Sequence, residues 1–250
     1  MRLAGAVALV TGGSSGIGAA IACALAAAGT RLLIAGRDAD RLAAVAEQTG
    51  GVALQADLAT PDGPPELAAA ALRAADHIDL LVNNAGIGWA GPIEQLTAAK
   101  ADELIAVNLT APIQLTRLLA PGMAERRHGR IVFVSSIAGA TGVRGEAVYA
   151  AAKAGLACFA ESLSYELADR GVGVSLIVPG VVDTPFFERR GRPYDRRRPV
   201  PIHSERIAHA VITATERDRS VVFVPRWMRF PARLHGLAPG AFRALASRFG

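Results

Sequence analysis

The amino-acid sequence predicts an α/β fold: a single domain with a doubly wound, seven-stranded parallel sheet that is flanked by helices on both faces. Two observations lead to this prediction. Seven short, continuous apolar runs are typical of strands that are buried on both faces. Ala- and Leu-rich segments of helical period lie between them, and this alternation is typical of parallel sheets covered by helices. A chain of 250 residues suits one such domain, so residues 1–250 are expected to form a single unit.

The predicted elements alternate along the chain. The strands are expected at residues 6–10, 31–35, 52–56, 78–82, 130–134, 173–178 and 221–224. The helices are expected at about 16–28, 38–49, 65–75, 98–123, 148–169 and 204–216. Pro112 and Pro121 lie in the fourth helix, so a kink or an early end is expected there. Residues 179–203 are rich in Pro and Arg and are predicted to form a substrate-lid loop, whereas residues 225–250 form a basic and aromatic C-terminal tail.

Composition excludes several classes of protein. With 51% hydrophobic and 20% charged residues, the chain is not disordered, and no apolar run reaches the roughly 18 residues of a membrane-spanning helix. Residues 1–10 could pass for a signal peptide by composition, but they are needed as the first strand, so a cytoplasmic protein is expected. Cys23 and Cys158 are expected to be reduced core residues. The five histidines are scattered without partners at metal-binding spacing, so no metal is expected.

The positive charge is concentrated in two late segments. Residues 186–198 hold six Arg against two acidic residues, and residues 217–250 hold seven Arg against one. The first segment also contains aromatic residues, so it fits either an apolar substrate with an anionic group or a solvated, mobile face. The tail fits either peripheral contact with an anionic membrane or packing on a neighbouring subunit. Nucleic-acid binding is not expected, because the basic residues match no known reading motif.

A glycine-rich turn follows the first predicted strand and opens the first predicted helix. Glycines at this place let the backbone approach a diphosphate, and the free N–H groups and the helix dipole favour its negative charge. A simple tight turn is the alternative, but the strand-turn-helix context favours a dinucleotide site in a Rossmann fold. The residues of this turn that are expected to contact the cofactor are Gly12, Ser14, Ser15, Gly16, Ile17 and Gly18.

Tyr149 and Lys153 are the clearest candidates for chemistry. Residues four apart lie on one face of a helix, so the ammonium group is expected beside the phenol, where it would lower the pKa of Tyr149 toward the range of a general acid/base. Ser136 lies 13 residues before the tyrosine, at the carboxyl end of a predicted strand. Open α/β sheets place their active sites at this edge, which argues against chance spacing.

Together these motifs resemble the short-chain dehydrogenase/reductase family, in its branch of single domains of about 250 residues. The similarity runs from about residue 5 to residue 185 and keeps the order and the spacings of the family. It rests on Thr11-Gly12-x-x-x-Gly16-x-Gly18, Asn83-Asn84-Ala85-Gly86, Asn108, Ser136, Tyr149-x-x-x-Lys153, and Pro179-Gly180 followed by Thr184. The resemblance implies an oxidoreductase that interconverts a secondary alcohol and a ketone or aldehyde by hydride transfer.

The resemblance also implies a role for each catalytic residue. Tyr149 would exchange the proton on the substrate oxygen, and Ser136 would hydrogen-bond that oxygen as charge develops. Ser135, its neighbour, is expected to be structural. Lys153 would hold the nicotinamide ribose and lower the tyrosine pKa, while Asn108 would fix a water that links Lys153 to a proton relay. The cofactor would supply the hydride.

The remaining residues are expected to bind the cofactor. Arg37 follows Gly36 at the end of the second strand, where an NAD enzyme commonly has a carboxylate, so NADP(H) is favoured over NAD(H), with Ser14 as a second contact for the 2′-phosphate. A solvent-exposed Arg37 beside an N-capping Asp38 is the alternative. The further contacts that the family implies are Asp57 and Leu58 at the adenine, Asn84, Ala85 and Gly86 at the ribose, Tyr149 and Lys153 at the nicotinamide, and Pro179, Gly180, Val182 and Thr184 over the carboxamide and phosphates.

Two other readings of function remain open. A dinucleotide-binding regulatory protein, or a membrane-surface protein, could use the same fold without turnover, because fold does not determine function. A sensor has no evident need for a proton donor, so the intact set of Asn108, Ser136, Tyr149 and Lys153 favours an enzyme. A homodimer or homotetramer is expected, and a capping or turn role for Asp57 remains an alternative to adenine binding.

Overall fold

The computed structural model describes residues 1–240 and 242–244. Its centre is one parallel sheet of seven strands in the order β3-β2-β1-β4-β5-β6-β7, which confirms the predicted fold class. The order reverses direction between β1 and β4, and doubly wound sheets open a crevice at such a point. The strands are β1 Val7–Thr11, β2 Arg31–Gly36, β3 Val52–Gln55, β4 Leu80–Asn83, β5 Gly129–Val134, β6 Val172–Pro179 and β7 Val221–Val224.

Helices cover both faces of the sheet. They are α1 Gly16–Ala27, α2 Ala39–Thr49, α3 Gly63–Ala75, α4 Ala98–Ile105, α5 Ala111–Glu125, α6 Ile137–Thr141, α7 Ala147–Leu167, α8 Phe186–Arg189, α9 Ser204–Glu216 and α10 Arg229–Leu237. The six predicted helices are all found, with α4 and α5 together forming the fourth. The short helices α6 and α8, and α10 in the tail, were not predicted.

Alternate residues of each strand point to opposite faces, so the sheet has two apolar cores. Leu9 pairs in register with Leu33 and Leu81, and these residues pack under α3, α5 and α7. Val10 pairs with Ile34 and faces the layer of α1, α2 and α9. Burial on both sides explains why the central strands are continuously apolar rather than alternating.

The fourth predicted helix contains a local change of winding rather than an early end. A π-helical turn, Ala106–Thr110, joins α4 to α5. Pro112 is the second residue of α5, directly after this π-helical turn, and its ring nitrogen cannot donate a hydrogen bond to the preceding turn. Pro121 lies inside α5 but does not end it, so an early end at Pro121 is wrong. The residue is exposed, where water can satisfy the carbonyl group that the proline ring leaves without a helical partner.

The lid and the tail both contain regular secondary structure. The lid, residues 179–203, leaves the end of β6, forms the single turn of α8, and returns so that Val182 bridges Ile202. The tail continues from β7 through a 3-10 turn, Arg226–Met228, into α10. The predicted tail residues Leu245, Arg248 and Phe249 lie outside the described residues. None of the described helices combines the length and the apolar character that crossing a membrane requires.

The two cysteines are free thiols, but they are not both in the core. Cys23 is half-buried and Cys158 is exposed, so the expected core position of Cys158 is wrong. Helix α7 buries the stripe that includes Leu156, Ala160 and Leu163, and Cys158 lies on the other side of the helix.

Candidate active site

A cavity of about 1160 Å³ opens at the carboxyl edge of the sheet. This is the size of a cofactor and a small substrate together, and the position is where doubly wound sheets bind ligands. Every residue predicted for catalysis or cofactor binding lines this cavity except Asn108, which lies behind its wall in the π-helical turn.

The glycine turn leaves no room for side chains. A Cβ atom at Gly18 would lie 2.0 Å from the carbonyl oxygen of Gly12, and one at Gly12 would lie 2.8 Å from Cα of Ala85. Gly12 also has a φ of 64°, a left-handed conformation that favours glycine. The backbone is therefore open to the cavity at the first turn of α1, where N–H groups have no intrahelical partner. This cradle fits a diphosphate.

Thr11 holds the glycine turn against β4, a role that was not predicted from the sequence. Its hydroxyl accepts hydrogen bonds from the backbone N–H groups of Asn84 and Ala85, both at 3.0 Å, and donates to the carbonyl of Val82 at 3.2 Å. The Asn84 amide donates to the Thr11 carbonyl at 2.9 Å. A polar residue at the end of an apolar strand, directly before Gly12, is the signal that could have indicated it.

Tyr149 lies at the start of α7, and 8% of it is exposed to solvent. Burial raises the pKa of its phenol to about 12, because the charged form is poorly solvated, while a hydrogen bond with Ser136 acts in the opposite direction. Ser136 follows β5 and caps α6, where its hydroxyl accepts from the N–H of Ala138 at 3.2 Å. At neutral pH the tyrosine therefore holds its proton next to the serine hydroxyl.

Lys153 lies one helical turn further on and is more deeply buried than Tyr149. Its ammonium group donates to the Val134 carbonyl at 3.1 Å and lies 5.9 Å from the centroid of the Tyr149 ring. Burial lowers the pKa of Lys153 to about 8. The expectation that this lysine lowers the tyrosine pKa is wrong in this structure, because desolvation dominates at both groups and the ammonium is directed toward a carbonyl.

Asn108 connects the π-helical turn to the lysine. Its amide nitrogen donates to the carbonyls of Leu104 and Ile87, both at 2.9 Å. Its Oδ1 atom is buried without a hydrogen-bond partner among the described residues. This oxygen and the Lys153 ammonium both border Gly86, where a Cβ atom would lie 2.9 Å from the oxygen and 3.4 Å from the nitrogen. A buried acceptor beside a buried ammonium suits a water-mediated link, since buried polar groups are rarely left unsatisfied.

Two predicted neighbours have mainly structural contacts. Ser135 donates from its hydroxyl to the Lys153 carbonyl at 3.0 Å, which fits the structural role expected for it. One carboxylate oxygen of Asp57 accepts from the N–H of Ala59 at 3.0 Å, as in the turn role considered as an alternative. Asp57 still lines the cavity together with Leu58.

The cavity is rich in arginine at the end beside β2, where the adenosine of a dinucleotide is expected; this is the adenosine end. Gly36 ends β2 so close to Ser14 that a Cβ atom would lie 3.1 Å from the serine hydroxyl. Arg37 is exposed and lies 3.6 Å from a carboxylate oxygen of Glu103. Asp38 caps α2, as the alternative interpretation expected, and forms an ion pair with Arg41 at 2.7 Å. Arg41 was not identified from the sequence, although it follows Asp38 by one helical turn.

An aromatic residue of the lid packs against the ring of Tyr149. The Phe186 ring lies 5.6 Å from the Tyr149 ring, and the Phe187 ring lies 5.3 Å from that of Tyr194, measured between centroids. Arg190 stacks on Phe187 at 4.5 Å and forms an ion pair with Glu146, directly before α7. These contacts were not predicted individually, because the lid has no regular period from which facing residues could be inferred.

The turn after β6 closes the other side of the cavity. The Gly180 N–H donates to the Val224 carbonyl at 2.8 Å, which joins the turn to β7. The side chain of Thr184 lies against the glycine turn, since a Cβ atom at Gly16 would be 3.2 Å from it. Pro179 and Val182 also line the cavity, as the resemblance implies. Within the described residues, no cluster of three or more His, Cys, Asp or Glu could hold a metal ion.

The fold and the site together define a dinucleotide-binding α/β protein with a buried tyrosine–lysine pair. The family model described as short chain dehydrogenase matches residues 6–195. The chain therefore belongs to the short-chain dehydrogenase family, and it is an oxidoreductase of that family.

The proteins similar to this chain include a reductase and two solved structures with a bound cofactor. The chain is 35% identical over 186 residues to the 3-oxoacyl-[acyl-carrier-protein] reductase FabG of Escherichia coli, which covers 74% of this chain and 76% of that protein. A short-chain dehydrogenase from Sphingobium yanoikuyae in complex with NADPH has a TM-score of 0.83 and 30% identity, covering 94% of this chain and 95% of that one. The 3-ketoacyl-(acyl-carrier-protein) reductase from Brucella melitensis, complexed with NADH, has a TM-score of 0.83 and 26% identity, covering 89% of this chain and 97% of that one.

Proposed function

We propose that this protein is an NADP(H)-dependent carbonyl reductase and alcohol dehydrogenase, which interconverts a ketone or aldehyde and an alcohol by hydride transfer. The observation that carries the proposal is the position of Tyr149, which is buried beside Ser136 where both residues line the cavity at the carboxyl edge of the sheet. A phenol within hydrogen-bond reach of a substrate oxygen can give it a proton, which is what carbonyl reduction needs.

In the reductive direction, the cofactor when bound supplies a hydride to the carbonyl carbon. Tyr149 gives its proton to the carbonyl oxygen, so that an O–H bond forms in the product as the phenol O–H bond breaks. The Ser136 hydroxyl donates to the same oxygen while negative charge develops on it. Lys153 and Asn108 hold the path by which a proton from water restores the phenol, and Lys153 also binds the nicotinamide ribose. These are the roles that we assign to the four catalytic residues.

The proposed preference for NADP(H) rests on the end of β2. Gly36 provides no carboxylate for the ribose hydroxyls, while Arg37 and Ser14 both line the cavity there. A guanidinium group and a hydroxyl suit a 2′-phosphate, because charge-assisted hydrogen bonds to phosphate are strong. The similar structures contain NADPH in one case and NADH in another, so the proposed preference rests on this chain's own residues.

The proposed substrate is apolar and carries an anionic group. The lid places the aromatic rings of Phe186, Phe187 and Tyr194 over the cavity, and Arg192 and Arg196 also line it. Apolar rings would hold a hydrocarbon chain, and these arginine groups would attract a carboxylate, a phosphate or the arm of an acyl carrier. The relation to 3-oxoacyl-[acyl-carrier-protein] reductases supports 3-oxoacyl thioesters as the first compounds to test.

The test is NADPH oxidation, followed at 340 nm, across a panel of 3-oxoacyl thioesters, simple ketones and aldehydes, with NADH run in parallel. We expect turnover of at least one carbonyl class, faster with NADPH than with NADH. Faster turnover with NADH would contradict the assignment of Arg37. Tight NADPH binding without turnover of any carbonyl would support the alternative, a dinucleotide-binding regulatory protein.

We also propose that the protein is a homodimer or homotetramer, and that α10 contacts an anionic membrane surface. Trp227, Phe230 and Leu237 are exposed in one stripe, and exposed Arg226 and Arg233 flank it. Two copies of such a face would bring arginines together, whereas anionic lipids would neutralise them, which favours the membrane as its occupant.

Co-sedimentation with vesicles tests this surface. Vesicles containing phosphatidylserine should retain the protein at low salt, vesicles of phosphatidylcholine alone should not, and Phe230→Glu should abolish retention. If neither vesicle retains the protein and Phe230→Glu instead lowers the molar mass measured by light scattering, the face is a subunit contact. Light scattering of the unchanged protein tests the oligomer directly, since a monomer at micromolar concentration would contradict it.

A further inference from the structure

One arginine of the lid reaches across the cavity to the glycine turn. Arg189, the last residue of α8, donates from Nη1 to the hydroxyl of Ser15 at 3.1 Å. Ser15 precedes α1, and its side chain makes no capping hydrogen bond to that helix. The hydroxyl is thus available to an outside group, and the lid provides that group.

Arg189 joins a group of like charges. It lines the same end of the cavity as Arg37 and Arg41, which follow β2. Partial burial lowers the pKa of Arg189, and the neighbouring Arg41 and Arg37 cations act in the same direction. Asp38 and Glu188 also lie near Arg189, but Asp38 is paired with Arg41, and Arg37 lies beside Glu103. Among the described residues, no carboxylate forms an ion pair with Arg189, so its guanidinium differs from the other two in having no carboxylate partner.

An arginine side chain without a carboxylate partner at the rim of a cavity suits an anion. We propose that Arg189 binds the adenosine 2′-phosphate as a third contact beside Arg37 and Ser14, so that this phosphate draws the lid onto the cofactor. The inference rests on the proposed NADP(H) preference and goes beyond it, because it gives the substrate lid a direct part in recognising the cofactor.

The geometry of α8 connects this contact to the catalytic end of the cavity. Phe186 and Arg189 are the two ends of one helical turn. Phe186 packs on the Tyr149 ring, while Arg189 touches Ser15. One turn of helix therefore contacts both the tyrosine and the glycine turn. A phosphate that holds Arg189 also holds Phe186 over the tyrosine, and a cofactor without that phosphate leaves the lid attached only at its other contacts.

The experiment measures the binding of NADPH, NADH, adenosine 2′,5′-bisphosphate and 5′-AMP to the full chain by isothermal titration calorimetry. The variants are Arg189→Ala, the conservative Arg189→Lys, and Arg197→Ala as a matched control, because Arg197 is exposed in the same lid but does not line the cavity. We expect Arg189→Ala to weaken NADPH and the bisphosphate about 10-fold, the order expected from one charge-assisted contact, with NADH and 5′-AMP changed less than twofold. Arg189→Lys should fall between, since lysine keeps the charge but not the planar fork.

Hydrogen exchange distinguishes recognition of the phosphate by Arg189 from a purely structural role of that residue. In the unchanged protein, adenosine 2′,5′-bisphosphate should slow exchange of the backbone amides of residues 186–198, whereas 5′-AMP should not. Arg189→Ala should remove this protection, and Arg197→Ala should keep it.

The possible failures are distinct. Equal weakening of NADPH and NADH by Arg189→Ala would place the guanidinium at the diphosphate and overturn the inference. An NADPH affinity that Arg189→Ala leaves the same would also overturn it. In that case the proposed function would still stand if the protein without substitution prefers NADPH. If the unchanged protein binds NADH as tightly as NADPH, both the preference and the inference are wrong.

Discussion

The carboxyl edge of the sheet and the lid above it are built in opposite ways. At the sheet edge, Thr11, Asn108 and Lys153 are buried, and each makes hydrogen bonds to backbone carbonyls. In the lid, most residues are exposed and the contacts are made by long arginine and aromatic side chains. On this basis we propose that the chemistry belongs to the buried edge, and that the choice of cofactor and substrate depends on the exposed arginines.

Removing the phenol should have the largest effect on activity. Tyr149→Phe should lower kcat about 1000-fold, a typical contribution of a general acid, and change the NADPH Kd less than threefold. Tyr165→Phe is the matched control, because Tyr165 lies on the same helix but is 72% exposed. Steady-state NADPH oxidation and fluorescence titration measure the two constants. Activity that survives in Tyr149→Phe would show that the proton comes from another group.

Replacing the buried lysine should stabilise the fold while it removes activity. Because burial lowers the pKa of Lys153 from 10.5 to about 8, keeping it charged costs on the order of 3 kcal/mol of unfolding free energy. Lys153→Met removes this cost but loses the hydrogen bond to Val134, worth about 1 kcal/mol. A net gain of about 2 kcal/mol is expected in urea unfolding at pH 7.

The pH dependence of this gain has a definite sign. Below pH 8 the lysine is charged in both the folded and the unfolded chain, so the folded state bears the full cost. Between about 8 and 10.5 the unfolded chain binds the proton and the folded chain does not, so the stability contributed by this group rises with pH. The advantage of Lys153→Met should therefore shrink as pH rises from 8 toward 10.5. An advantage independent of pH would contradict the assigned cause.

A charge change at the end of β2 should alter the choice of cofactor. Arg37→Asp replaces a cation with a carboxylate that can accept from the ribose hydroxyls, so the ratio of kcat/KM for NADPH to that for NADH should fall about 100-fold. Arg31→Asp, at the other end of the same strand, should leave the ratio unchanged. If the two substitutions have the same effect, general electrostatics rather than a specific contact sets the preference.

A change in the apolar part of the lid should have the smallest effect. Phe186→Ala removes the ring that packs on Tyr149, and it should raise the KM of an apolar carbonyl substrate severalfold with less change in kcat. Val200→Ala, at an exposed position of the same lid, is the control. A loss confined to kcat would mean that Phe186 positions the tyrosine instead of holding the substrate.

The difference between the two regions also explains what the sequence could predict. Strands such as β1 and β5 are continuous apolar runs, because they are buried on both faces, and the glycine turn is marked by its spacing. The residues predicted at the ends of these elements therefore line one cavity, with Asn108 behind its wall. In the lid, six similar arginines follow one another without a period, so nothing distinguished Arg189 and Arg190 from the others.

The pKa values of the site residues were harder to predict than their positions. The spacing of Tyr149 and Lys153 indicated a shared helical face, which the structure has. It did not indicate that both groups are buried, nor that the Val134 carbonyl holds the ammonium. Desolvation depends on every element packed around a group, and for this pair it outweighs the attraction between neighbours.

In the proposed reaction, a hydride passes from NADPH to a carbonyl carbon while Tyr149 protonates the oxygen. It can be tested with NADPH deuterated at C4 of the nicotinamide, with the two stereochemical labels used in separate reactions, and a 3-oxoacyl thioester or whichever carbonyl gives turnover. Mass spectrometry of the product should show one deuterium on the new carbinol carbon from one of the two labelled cofactors, and no labelled product with Tyr149→Phe over the same period. Product without deuterium from either label, or the same yield of labelled product with Tyr149→Phe, would contradict the account.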